Sequence, residues 1–136
     1  MKIVKIWIDQ DRLYGKTDDG RIVWQSLLYY PRLKNASSQQ RDDYEIGYFG
    51  IHWNEIDEDV SFESFDYDNP EPTGLSKILL SLPEINISAI ARNLGIQQSL
   101  LAAYKNGTKK ASPERERLIL DEIKSIGQKL ILLGNQ

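Results

Sequence analysis

A chain of 136 residues, 40% apolar and 27% charged, has the make-up of a folded globular protein and excludes a disordered or fibrous one. No run of about 18 apolar residues exists to span a membrane, and the opening MKIVKIWIDQDR mixes charges into what a secretory leader would keep apolar, so a soluble, cytosolic protein is expected. The absence of cysteine excludes a disulfide framework and a thiol nucleophile, while the net charge of −3 divides unevenly: 8 basic against 15 acidic side chains over residues 1–74 (−7), and 9 against 5 over residues 75–136 (+4).

Taken in chain order, Lys2 to Ile8 is β-branched and apolar, Arg12 to Thr17 alternates, and Asp19-Gly20 before Arg21-Ile22-Val23-Trp24 is a hairpin signal, so the chain is expected to open with an antiparallel meander. Pro31 interrupts the next stretch. Ser37-Ser38-Gln39-Gln40 reads as a capping box opening a short helix through about Glu45, closed by Gly47 or Gly50. Gly50-Ile51-His52-Trp53 reads as a further strand, the acidic run Glu55 to Glu63 as the start of a helix, and Ser61 as the cap of one turn holding Phe62 and Phe65. Trp7, Tyr14, Trp24, Tyr29, Tyr30 and Phe49 are assigned to the core of this part, since aromatics in a small sheet domain usually pack inside.

Residues 69–74, with Pro70 and Pro72, read as a linker between an α+β domain at 1–68 and an all-α domain at 75–136. Leu75, Ile78, Leu79 and Leu82 repeat at helical spacing up to Pro83. Asn86 or Ser88 caps the next helix, Gly95 ends it, and Gly107 ends a third. Ser112-Pro113 with Glu114 and Glu116 opens a long last helix striped by Ile119, Ile123, Ile126 and Leu130. Gly127 inside that helix suggests a close contact there, and Leu130-Ile131-Leu132-Leu133 is too apolar to stand in water, so it is expected to pack on the sheet domain or a second copy.

Ile90, Ala91, Leu94, Gly95, Ile96, Leu101 and Tyr104 occupy the seven inward positions of a helix-turn-helix, with Ala91 where two helices would touch and Gly95 at a corner demanding positive φ. The second helix, about 97–106, would then start with Gln97, Gln98 and Ser99 near base edges. Lys105, Asn106, Lys109 and Lys110 would lie where the following loop meets phosphates.

NISAIARNLGIQQSLLAAYKNGTKKASPE resembles the lambda-repressor-like helix-turn-helix domains. Pro31-Arg32-Leu33, Asn35-Ala36-Ser37, Gln40-Arg41 and Gly50-Ile51-His52-Trp53 through Ser61 resemble a bacterial family of unknown function, number 2442. The first resemblance implies a DNA-binding fold; the second implies no activity. Against the lambda-repressor-like pattern, the phosphate-reaching glutamine of the first motif helix is Ile87 here, and positions commonly polar in the second are Leu100, Ala102 and Ala103.

His52 with Asp57, Glu58 and Asp59 invites a metal or acid–base reading. The better expectation is a packed histidine bonded to a backbone group and no metal site, since one histidine without cysteine makes no common zinc site and the carboxylates lack calcium-loop spacing. No Gly-rich phosphate loop, nucleophile elbow or paired acid–base constellation is present, so no catalysis and no cofactor are expected. The expected function is a non-catalytic regulator binding double-stranded DNA, with a possible homodimer. The alternative is a protein-interaction module, antitoxin-like, holding a basic protein on the acidic N-terminal face.

Overall fold

The computed structural model describes residues 1–67 and 70–136, which form two units, Met1–Pro72 and Thr73–Gln136. Asp68 and Asn69, part of the stretch where the domain boundary and linker are expected, lie outside the described residues. Within that stretch Pro70 accepts a backbone hydrogen bond from Ser26 at 2.7 Å, and Pro72 is buried.

The first unit is α+β. Strands β1 (Ile3–Asp9), β2 (Arg12–Thr17) and β3 (Ile22–Ser26) form the expected antiparallel meander. Gln10 and Asp11 turn the first hairpin with φ of 47° and 63°, the left-handed pair that matches strand twist. The Gly20 turn closes through Thr17 and Arg21, whose main chains bond at 2.9 Å, and the Thr17 hydroxyl bonds the Asp19 carboxylate, holding that carboxyl below its ordinary pKa. Two short helices come next, α1 (Pro31–Lys34), which Pro31 opens at its first position, and α2 (Ser38–Asp42). Ser37 and Gln40 make the capping box reciprocally, at 3.1 and 2.9 Å.

Beyond Asp42 the chain departs from the expected elements. The helix does not reach Glu45: Tyr44–Ile46 is strand β4, pairing Tyr44 with Trp53, because a β-prone Tyr and Ile gain more from a cross-strand partner than from one further helical turn. Gly47 and Gly50 close no helix; they frame the loop into β5 (Gly50–Trp53), bonded main chain to main chain at 2.8 Å. A Cβ on Gly50 would stand 2.6 Å from the Val60 carbonyl oxygen, so only glycine permits that approach. The acidic run starts no helix either. Asp57 turns with φ 49°, and Glu58–Ser61 is strand β6, whose Val60 is buried while Asp59 faces outward and Glu58, on the Val60 side, is half-buried. The second sheet, β4-β5-β6, is antiparallel, and Ser61 caps the 3-10 turn Glu63–Asp66 through the Ser64 amide at 3.1 Å.

One core holds this unit together: Ile3, Ile6 and Leu13 from the first sheet, Ile51, Trp53 and Val60 from the second, and Leu27, Leu33, Phe62 and Phe65 between. Its indole is Trp53, fully buried, not one of the aromatics assigned to the core. Trp7, Tyr14 and Trp24 are half-buried on the outer face of the first sheet, because strand alternation places Ile6, Leu13 and Gln25 inward, and Phe49, in the loop before β5, is 87% exposed. Tyr30 is half-buried against the core edge, where its hydroxyl donates to Gln25 at 2.9 Å and Gln25 donates to Ser64 at 2.8 Å. Burial there raises the Tyr30 pKa, as it does for half-buried Tyr29.

The second unit is four helices, α3 (Gly74–Leu80), α4 (Ile87–Leu94), α5 (Gln98–Asn106) and α6 (Pro113–Gly134). Asn86 caps α4 through the Ala89 amide at 3.0 Å, and Ser112 caps α6 through Arg115 at 3.2 Å. Leu75, Leu79, Ile90, Ala91, Ile96, Leu101, Tyr104 and Ile119 make its core. One further expectation fails. A Cβ at Gly127 would meet nothing within 4 Å, so no close contact explains that glycine. Leu130 to Leu133 stand 63–68% exposed, since the core ends near Ile126 and α6, about 33 Å long, runs on past it.

Candidate functional site

The junction of α4 and α5 is built by two small residues with different duties. Ala91, fully buried where α4 and α5 pack, leaves room for the neighbouring helix. Gly95 lies at φ 66°, and the next amide, of Ile96, reaches back to the Ala91 carbonyl at 2.9 Å, satisfying an orphan carbonyl at the helix end. That bond drops Ile96 into the core and turns the chain sharply into α5. The end of α5 repeats the device, with Gly107 at φ 78° and Thr108 bonded to the Ala103 carbonyl at 3.0 Å. Ser76 of α3 donates to the Lys105 carbonyl at 2.6 Å, fixing the C-terminal turn of α5 from the other side.

Of the seven inward positions read from the sequence, Ile90, Ala91, Ile96, Leu101 and Tyr104 are buried, Leu94 is half-buried and Gly95 is exposed. Gln97 is the N-cap residue of α5, and Gln97, Gln98 and Ser99 are all exposed. Leu100 packs against the core, so the apolar side of α5 is spent inward. Along the outer side run Gln98, half-buried Ala102, and then Lys105 and Asn106, with exposed Lys109 and Lys110 just beyond. Ile87, where the lambda-repressor-like pattern has a glutamine, packs on the same core.

Several of the residues that carried the N-terminal resemblance make contacts that hold the unit together. Arg41 donates to the Leu33 carbonyl at 3.2 Å and the Lys34 carbonyl at 2.8 Å, capping the end of α1, while its own carbonyl accepts from the Trp53 indole at 2.9 Å. Arg32 pairs with Glu58 at 3.2 Å. His52 does not bond a backbone group: its Nδ1 meets the Asp59 carboxylate opposite it across the β5–β6 ladder at 2.7 Å. The turn at Asp57 brings a second carboxylate near, so donor atoms of His52, Asp57 and Asp59 lie within 4.8 Å of one another on an open surface. Glu58, between them in sequence, points to the other side, and composition alone could not have shown that division.

Among the described residues no helix is long and apolar enough to cross a membrane. No curated protein and no solved structure matches the chain. Residues 3–65, which hold both small sheets and the Arg41–Trp53 bond between α2 and β5, match the family described as Protein of unknown function (DUF2442).

Proposed function

We propose that residues 73–136 are a helix-turn-helix module of the lambda-repressor-like kind that binds double-stranded DNA, with α5 as the helix that enters the major groove. The observation that carries this reading is the division of α5: Leu100, Leu101 and Tyr104 face the core while Gln97, Gln98 and Ser99 stand free of it at the leading end. A glutamine amide offers one donor and one acceptor, the complement of an adenine edge. Lys105, Asn106, Lys109 and Lys110 come after them at the trailing end, where ammonium groups neutralise phosphate, and the unit's balance of +4 favours a polyanion. Two copies would set two such helices about 34 Å apart for successive major grooves, and the exposed Leu130, Ile131, Leu132 and Leu133 give a second copy an apolar surface to cover. In this reading the N-terminal unit is an accessory module without catalytic work.

The test is a selection from random duplex DNA at physiological salt with the full chain and with Gln98→Ala in parallel. One enriched motif with the native chain is expected, and the variant should lose discrimination at one base pair by about 1–3 kcal/mol. Enrichment of no sequence by either protein would refute base reading. A second reading, a protein-interaction module, is favoured by the β4–β5 loop, where Tyr48 and Phe49 are both 87% exposed beside the outward carboxylates Glu45 and Asp59. A basic protein would be its partner, and that reading takes over if the selection enriches nothing.

A further inference from the structure

The outer face of the first sheet is ordered in rows that its strand register makes plain. Lys5 of β1 lies opposite Lys16 of β2, which lies opposite Ile22 of β3. One row on, Trp7, Tyr14 and Trp24 stand side by side across all three strands. The row after that holds Asp9, Arg12 and Ser26. The Trp7 and Tyr14 rings stack at 5.5 Å with 5° between their planes. Arg12 lies over the Trp24 ring at 4.0 Å and Lys5 near the Trp7 ring at 5.9 Å.

Two features of this face go against what stability alone would select. Like charges directly opposite one another across a ladder are destabilising, and Lys5 and Lys16 are such a pair. Three large aromatic rings remain half in water although the core beneath them is built from Ile, Leu and one other Trp. Both features are relieved by the same kind of ligand, one that carries anionic groups at a regular spacing and flat rings between them. The acidic balance of the unit does not cancel the attraction. On these rows Asp9 is the one carboxylate, Glu71 sits 3.8 Å from Arg12, and acids elsewhere act through solvent in which a charge is screened over about 8 Å at 0.15 M salt.

We propose that this face binds a single-stranded nucleic acid, with the bases stacked on the Trp7–Tyr14–Trp24 row and the phosphates drawn to Lys5, Lys16 and Arg12. Stacking on ring faces is indifferent to base identity, so the strand is held without sequence preference. Nor do these groups read the sugar, so DNA and RNA strands bind alike. A duplex keeps its bases paired inside and offers this face its phosphates alone.

The experiment is a titration of the full chain with fluorescently labelled oligothymidylate, oligouridylate and a duplex of equal length, monitored by anisotropy and by quenching of the protein's own indole emission. Both single strands should bind with a Kd on the order of 10⁻⁵ M, and each aromatic ring removed should weaken them between about 5-fold and 150-fold. Trp7→Ala tests the stack. Lys16→Glu changes an exposed side chain that no core contact needs, so it keeps the test decisive if Trp7→Ala does not fold; it should weaken both strands at least 10-fold. Phe49→Ala, exposed on the other sheet, and Gln98→Ala, on the proposed duplex-reading helix, should leave single-strand binding unchanged. Failure of the native chain to bind either strand, binding that survives Trp7→Ala and Lys16→Glu alike, or binding abolished by Gln98→Ala overturns the proposal. Because Gln98→Ala separates the two sites, loss of one activity leaves the other standing.

Discussion

Trp53→Ala is expected to destabilise the N-terminal unit by about 3–5 kcal/mol, the cost of emptying a buried aromatic site. Trp53 is fully buried between the sheets, and its indole N–H donates to the Arg41 carbonyl at 2.9 Å. Arg41 in turn holds the Leu33 and Lys34 carbonyls, so one substitution loosens β5, α2 and the end of α1 together. A unit of this size, at about 0.1 kcal/mol per residue, has about 7 kcal/mol in all, and the variant would keep about 2–4 kcal/mol of it. Trp53→Phe retains most of the volume and leaves the Arg41 carbonyl without its partner, which should cost about 1–3 kcal/mol. The two remaining tryptophans, Trp7 and Trp24, both lie in this unit, so urea unfolding monitored by indole emission reads its stability without interference from the helices. A midpoint for Trp53→Ala that matches the native chain would contradict the assignment of Trp53 as the tie between the sheets.

The second large effect concerns DNA. Lys109 and Lys110 are exposed immediately after α5, where the proposed docking brings the phosphate backbone. Each phosphate neutralised adds about 0.9 to the slope of log affinity against log salt, so the double variant Lys109→Ala/Lys110→Ala should lower that slope by about 1.8 and weaken duplex binding about 30-fold at 0.15 M salt. The loss should be uniform across sequences, since phosphates carry none. Gln98→Ala should behave in the opposite manner, changing which sequences bind while leaving the salt slope alone. An unchanged slope in the lysine variant would place the phosphate contacts elsewhere.

The caps, corners and buried positions of the helical unit were legible in the sequence because each has a local cause. Asn86 and Ser112 carry their acceptors one turn from the amides they bond, Gly95 is the residue a left-handed corner prefers, and Leu101 and Tyr104 fall on one side of a helix by spacing alone. The meander was legible for the same reason, through alternation and turns. What was not legible is decided by partners distant in the chain. Tyr44–Ile46 becomes a strand because it pairs with Ile51 to Trp53, and Glu58–Ser61 because it pairs on the other edge of the same strand; neither pairing is written in the segments themselves. Trp7 and Trp53 are the same residue type in similar apolar runs, and only the pleat, set by which neighbours face the core, sends one outward and the other in. His52 and Asp59 are seven residues apart in sequence, and the β5–β6 register makes them a pair. At the proposed DNA site, chain order gave the exposed glutamines and lysines. It left Leu100 ambiguous until packing showed that this side chain belongs to the core.

The central claim, that the leading end of α5 and the lysines behind it meet a DNA duplex, is tested most directly by amide chemical-shift mapping of the full chain as a duplex carrying the selected motif is added. Shifts that saturate together at Gln97, Gln98, Ser99, Asn106, Lys109 and Lys110, with the amides of the N-terminal sheets unmoved, are the predicted result. Saturating shifts confined to the N-terminal unit, or none in either unit at concentrations well above physiological, would contradict it.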